Sequence, residues 1–182
     1  QRGDRIGIIG ANGAGKTTFV NMITGHLKPS AGAILFDGVD ITGHEPRQIT
    51  RRGSSRSFQI AQIFPEMSVI DNMLVAIIIA EEARLSPLRS ASTQARHQRA
   101  REILAQFSLQ DSSERIAGTL PQGARKLLDI AMAMASQPKV MMLDEPTSGV
   151  STEEKLQMMQ HLMAALRQLG TTIIFIEHDI DL

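Results

Sequence analysis

The sequence predicts an α/β fold with a mostly parallel sheet flanked by helices, a helical insertion and a short antiparallel β segment. Apolar runs of strand length alternate with segments of helical spacing, which is typical of a parallel sheet covered on both faces. A glycine-rich loop joins the first apolar run to a helix. Between residues 60 and 120 the strand signal disappears and helical spacing continues alone, which predicts the insertion.

The first predicted strand leads directly into a loop that fits phosphate. After Ile6-Gly7-Ile8-Ile9 come Gly10-Ala11-Asn12-Gly13-Ala14-Gly15-Lys16-Thr17-Thr18 and then a helical segment. This order of strand, loop and helix is that of a P-loop, whose backbone N–H groups surround a phosphate chain. Glycines permit the close approach and the positive φ angles. We expect Lys16 to bind the β- and γ-phosphates, Thr17 to ligate Mg²⁺ and Thr18 to donate to a phosphate oxygen.

The middle of the chain has a predicted hairpin and four predicted helices. The pair Asp37-Gly38 is a turn signal between two short strand patterns, at residues 33–36 and 39–41. Helical spacing covers residues 46–52, 69–83, 93–107 and 123–135. The third of these helices carries Arg96, Arg99 and Arg101, which we expect to form a solvated face.

Two acidic residues follow the next predicted strand. Residues 140–143 are apolar and lead into Asp144 and Glu145. Because a parallel sheet delivers the carboxyl ends of its strands to the ligand edge, Asp144 is expected to hold Mg²⁺ and Glu145 to polarise a water as general base. A helix with the capping pattern Ser151 to Glu154 comes next, and residues 172–176 form the last predicted strand.

The positions of two polar residues are compatible with either a structural or a functional role. His178 directly follows the last predicted strand, from where it could contact a γ-phosphate and orient water. Gln59 lies where the core gives way to the helical insertion, and its amide could ligate Mg²⁺ or water.

Composition limits the classes of protein that need be considered. The chain has 182 residues with 42% hydrophobic and 21% charged content, which suits one folded domain. Nineteen basic and nineteen acidic residues give no argument for nucleic acid or an anionic membrane surface. The absence of cysteine excludes disulfides, zinc–thiolate sites and a catalytic thiol. The longest apolar run is too short to cross a bilayer, and both ends of the chain look truncated.

Taken together, these motifs resemble the nucleotide-binding subunit of ABC transporters. Six landmarks occur in the family's order: the Walker A at residues 10–18, the Q-loop Gln59, the signature position at Leu120-Pro121-Gln122-Gly123-Ala124, the Walker B at residues 140–145, the D-loop at residues 148–151 and the switch His178. Asn12, Ser57-Phe58-Gln59 and Ile176-Glu177-His178-Asp179 look like the subgroup that serves branched-chain amino acid, urea and short-amide importers.

The resemblance implies a single ATPase domain with a core at residues 1–59 and 123–182 and a helical subdomain at residues 60–122. It implies catalytic roles for Glu145, His178 and Lys16. It implies nucleotide contacts from Asn12, Gly13, Ala14, Gly15, Lys16, Thr17, Thr18, Gln59, Gln122 and Gly123. It also implies Mg²⁺ ligands at Thr17, Gln59 and Asp144.

The resemblance further implies ATP as the nucleotide, a second ATPase subunit, membrane permease subunits and, indirectly, a solute-binding protein. Such a subunit binds peripherally to the permease at the cytoplasmic face of the membrane. Two subunits would pair head to tail, with ATP between the P-loop of one and the signature of the other. No nucleic acid is expected. The alternatives are an ABC ATPase that acts on nucleic acid, or a catalytically weak module that senses ATP.

The chain departs from the family pattern at the signature, at the D-loop and in its lack of Tyr and Trp. Pro121 stands where the signature serine would donate to the opposite γ-phosphate, and proline has no donor. Ser151 replaces the D-loop aspartate, and Ala124 replaces the signature glutamine. The chain has no Tyr or Trp to stack on adenine, so ATP as the base is implied by the resemblance alone.

Overall fold

The structure, a computed structural model, describes residues 3–11, 13–57, 62–83, 93–168 and 170–177. In chain order its elements are β1 (Arg5–Ile9), α1 (Lys16–Ile23), β2 (Leu35–Phe36), β3 (Val39–Asp40), α2 (Pro46–Arg51), β4 (Ser54–Ser57), α3 (Val69–Ala83), α4 (Thr93–Gln106), α5 (Gln122–Met134), β5 (Val140–Asp144), α6 (Thr152–Gln168) and β6 (Thr172–Glu177). Two short 3₁₀ turns lead from α4 to α5. The predicted elements agree with these bounds to within about two residues, as expected for strongly periodic segments.

The main sheet brings the ends of β1 and β5 to the same edge. Its described strands run in the order β1-β6-β5-β4, and each neighbouring pair is parallel. Ile176 on β6 has Ile8 on one side and Asp144 on the other. The loop after β1 and the acidic pair after β5 therefore start on either side of one residue, which confirms the predicted parallel architecture.

The predicted hairpin is present as a separate antiparallel pair. Leu35 lies opposite Asp40, and Phe36 lies opposite Val39. Asp37 and Gly38 both have positive φ, at 50° and 76°, as a two-residue turn between twisted antiparallel strands requires.

The two faces of the sheet bury very different numbers of side chains. One face belongs to a large cluster that joins the sheet to α3, α4, α5 and α6 and includes Met73, Phe107, Leu143 and Leu162. On the other face, a small buried cluster consists of Val20, Met142 and Ile176. Alternation along β5 produces this division, since successive side chains of a strand point to opposite faces. No helix within the described ranges is long and apolar enough to span a bilayer.

The predicted solvated arginine face on α4 is wrong for two of its three members. The Arg96 Nε lies 2.9 Å from Glu81 Oε2 on α3, and both side chains are half-buried. The Arg99 Nη2 donates to the carbonyl of Ala135 at 2.6 Å, at the C-terminal end of α5. Arg101 is exposed. A cation at a helix C-terminus is favourable because the last carbonyls carry partial negative charge.

Candidate nucleotide site

The loop between β1 and α1 has the backbone conformation that its glycines permit. Gly13 and Gly15 have φ of 81° and 91°, and Gly15 precedes the first residue of α1. The Ala14 N–H donates to the carbonyl of Ala11 at 3.1 Å, which turns the chain back on itself. A side chain at either glycine would be strained in this conformation.

Lys16 begins α1 and is folded against the same loop. Its side chain is 9% exposed, and its ammonium donates to the carbonyls of Gly10 and, at 3.1 Å, Ala11. The two carbonyls fix the cation over the loop, at the N-terminal end of the helix. Both the ammonium and the helix N-terminus favour an anion there.

A pocket of about 170 Å³ joins this loop to the end of β5. Its lining consists of Gly13, Gly15, Lys16, Thr17, Thr18, Glu145 and Ile176. The structure thus brings five residues of the predicted phosphate loop together with the predicted general base, although Glu145 lies about 130 residues further along the chain. Ala14 is exposed in the same loop.

Asp144 and Glu145 differ in burial and in backbone conformation. Asp144 ends β5 and is 4% exposed. Glu145 is half-buried and has φ of 48°, a left-handed conformation that is costly for a residue with a Cβ. Two backbone bonds hold it: the Glu145 N–H donates to the carbonyl of Ile176 at 2.9 Å, and the Ser148 N–H donates to the carbonyl of Glu145 at 3.0 Å. This turn directs the chain away from the strand next to the pocket.

A buried lysine on α5 lies in the field of both carboxylates. Lys126 is 1% exposed. Burial lowers the pKa of its amine, while the carboxylates of Asp129, Glu145 and Asp144 oppose that shift. Sequence reasoning missed Lys126, although a lysine in a helix rich in Ala, Leu and Met was a visible signal.

The predicted signature residues form the start of α5, away from the lining of this pocket. Pro121 precedes the helix with φ of −53°, and Gln122 is its first residue. The Gly123 N–H donates to Glu154 Oε2 on α6 at 3.0 Å. A Cβ placed at Gly149 would lie 3.9 Å from the amide nitrogen of Gln122, so the predicted D-loop passes close to the signature. Ser151 accepts the Glu154 N–H at 3.3 Å, as predicted for a cap.

Asn12, Gln59 and His178 lie outside the described residues. From residue 62 onward, two hydrogen bonds hold the segment that follows Gln59. The Gln62 N–H donates to Asp129 Oδ1 on α5 at 2.9 Å. The Phe64 N–H donates to the Asn72 Oδ1 on α3 at 2.8 Å.

Fold and site together define a P-loop nucleotide-binding protein with an α-helical insertion. A family profile described as ABC transporter matches residues 1–148. The branched-chain amino acid transport ATP-binding protein LivG of Escherichia coli K12 is 38% identical over 185 residues, which cover 97% of this chain and 72% of LivG. The probable LivG of Methanocaldococcus jannaschii is 35% identical over 186 residues, which cover 100% of this chain and 72% of that protein.

Solved structures of ATP-binding cassettes have the same fold. The ADP conformation of the cassette MJ1267 superposes with a TM-score of 0.81 at 33% identity, covering 99% of this chain and 72% of that one. A dimeric, post-hydrolysis cassette, MJ0796 bound to ADP and phosphate, gives a TM-score of 0.77 at 25% identity, covering 100% of this chain and 77% of that one. The chain belongs to the ABC transporter family and is one of its ATPases. These matches do not favour either predicted alternative, a nucleic-acid ATPase or an ATP sensor.

Proposed function

We propose that this chain is the ATP-hydrolysing subunit that powers an ABC importer of branched-chain amino acids or related small polar solutes. The pocket that joins Lys16 and Thr17 to Glu145 carries the ATPase part of the proposal. The solute class rests on relatives named LivG and BraF, at 36–38% identity. We also propose that residues 1–59 and 123–182 form the core of the domain and that residues 60–122 form a helical subdomain.

Within the pocket, the loop residues bind the triphosphate. Gly13, Ala14 and Gly15 offer backbone N–H groups, and Asn12 belongs to the same loop. Lys16 contributes its charge to the β- and γ-phosphates from a position already fixed by two carbonyls. The hydroxyl of Thr18 donates to a phosphate oxygen.

The oxygen ligands at the pocket suit Mg²⁺. Mg²⁺ in nucleotide sites is held by one or two protein oxygens together with phosphates and water. Thr17 lines the pocket, and the buried Asp144 ends the neighbouring strand. Gln59 completes the proposed set of ligands. When bound, the ion neutralises charge that develops on the phosphates.

Glu145 accepts a proton from the water that attacks the γ-phosphorus. Glu145 has φ of 48° and lines the same pocket as Thr17, which supports this role. His178, two residues beyond Ile176, orients the same water. The γ-phosphate leaves as inorganic phosphate and ADP remains, so the reaction needs no other reactant.

Pairing with a second ATPase subunit completes the site. Gln122 and Gly123, at the start of α5, contact the nucleotide held by the partner. Closure around ATP and reopening after hydrolysis drive the permease subunits, because ATP binds the closed pair better than the open one. The subunit sits on the permease at the cytoplasmic face of the membrane, and a solute-binding protein delivers the solute outside.

The proposal is tested by phosphate release and by pairing. We expect wild-type protein with Mg²⁺-ATP to release phosphate, and Glu145→Gln to lose at least about a hundredfold in rate while it binds ATP and forms a dimer on size exclusion. Glu153→Gln is the matched control, because it removes the same charge from an exposed residue of α6. Equal turnover by wild type and Glu145→Gln would contradict the assignment. Leucine uptake into vesicles that contain the cognate permease, dependent on Glu145, tests the solute class.

A further inference from the structure

A side chain from α6 covers the N-terminus of α5. The Gly123 N–H donates to Glu154 Oε2 at 3.0 Å, across 31 residues of chain. The first N–H groups of a helix have no acceptor inside the helix, and Pro121, which precedes α5, makes no side-chain cap. Glu154 therefore supplies the acceptor, with its negative charge at the positive end of the helix dipole.

The contact is part of close packing between the two helices. A Cβ added to Gly123 would lie 3.2 Å from Glu154 Oε2 and 3.6 Å from both Met158 Cβ and Val150 Cγ1. A side chain at this position would require the Glu154 carboxylate to shift by a few tenths of an ångström. The first turn of α6 is itself fixed, because the Glu154 N–H donates to Ser151 Oγ at 3.3 Å.

We propose that the Glu154 carboxylate competes, within one subunit, with the partner's nucleotide for the Gly123 N–H. This inference rests on the proposed function, in which Gly123 contacts the nucleotide held by the partner. One N–H cannot serve two anionic acceptors fully, and a carboxylate next to a phosphate repels it. Pairing around ATP therefore requires Glu154 to leave Gly123, so the α5 terminus is occupied until a partner arrives.

The absence of a serine at residue 121 makes this competition matter more. Pro121 has no hydroxyl to donate to the phosphate, so a larger share of the contact falls to the donors of Gln122 and to the Gly123 N–H. Glu154 thereby sets how much ATP is needed to hold two subunits together.

The test compares Glu154→Ala and Glu154→Gln with the control Glu153→Ala, all in a Glu145→Gln background that keeps ATP intact. Dimer formation is followed by sedimentation velocity as Mg²⁺-ATP is titrated, and the binding of a fluorescent ATP analogue to the monomer is measured separately. Both Glu154 variants should pair at roughly tenfold lower ATP concentration, because a charged acceptor has been removed from Gly123. Glu153→Ala should stay within about twofold of the background, and monomer affinity for the analogue should not change.

Each other outcome has a distinct meaning. If the Glu154 variants pair at the same or higher ATP concentration while melting at lower temperature, Glu154 is only a helix cap and the inference is overturned. Glu154→Gln keeps an oxygen in place, so it remains informative if Glu154→Ala fails to fold. If the background protein with Glu154 intact binds no ATP or never dimerises, the proposed function itself fails.

Discussion

Asn72 holds the segment that follows Gln59 against α3, and its removal has a cost that the structure allows us to work out. The side chain is 0% exposed. Its Oδ1 accepts the Phe64 N–H at 2.8 Å, and its Nδ2 donates to the carbonyls of Phe64 and Ser68 at 3.0 and 2.9 Å. The Asn72 amide therefore satisfies the backbone N–H and carbonyl of Phe64 and the carbonyl of Ser68, the residue before α3.

We expect Asn72→Ala to lower the free energy of unfolding by about 3 kcal/mol, from three hydrogen bonds at about 1 kcal/mol each. That is roughly a 150-fold change in the folding equilibrium and a large share of an ordinary domain's stability. Asn72→Asp should cost at least as much, because it keeps the acceptor but turns a carboxylate toward two carbonyl oxygens.

Urea unfolding at neutral pH, followed by circular dichroism, measures the loss. The control is Gln98→Ala on α4, which removes an exposed amide that donates to Glu102 at 2.9 Å and should cost about 0.5 kcal/mol or less. A loss below about 1 kcal/mol for Asn72→Ala, or a loss equal to that of Gln98→Ala, would refute the reasoning.

Two further predictions concern α5. Pro121→Ser places a capping hydroxyl before the helix, so the melting temperature should rise by an amount equivalent to about 1 kcal/mol. The rate of ATP hydrolysis should also rise, because residue 121 would then have a donor for the partner's phosphate. An unchanged rate would mean that residue 121 affects stability alone. For Lys126, burial lowers the folded pKa below the ordinary lysine value of 10.5, so the unfolded chain binds more protons in the pH window between the two values. Wild type should therefore gain stability relative to Lys126→Met as pH rises toward 10.5, and a urea midpoint difference that is flat with pH would contradict this.

The parts of the fold that follow from local pattern could be predicted from the sequence. The glycine spacing fixed the loop before Lys16, and apolar periodicity located α3 to the residue. The convergence of that loop with Glu145 followed from parallel strand order, because the carboxyl ends of neighbouring strands share an edge.

Contacts between distant elements could not be predicted in this way. The pattern Ser151 to Glu154 predicted a local capping box, but the Glu154 carboxylate reaches Gly123 on another helix. Arg99 likewise donates to the carbonyl of Ala135 at the end of α5, although a solvated position was expected. Each of these partners lies on another helix, so only the tertiary packing brings the groups together.

The large buried cluster has a consequence for how the molecule unfolds. Side chains of α3 and α4 share this cluster with those of β5 and α6, and α5 packs against both groups. Separating the helical insertion from the sheet would expose apolar surface on both sides, so the two parts belong to one cooperative transition. A nucleotide bound at the sheet edge therefore raises the unfolding temperature of helices that never touch it.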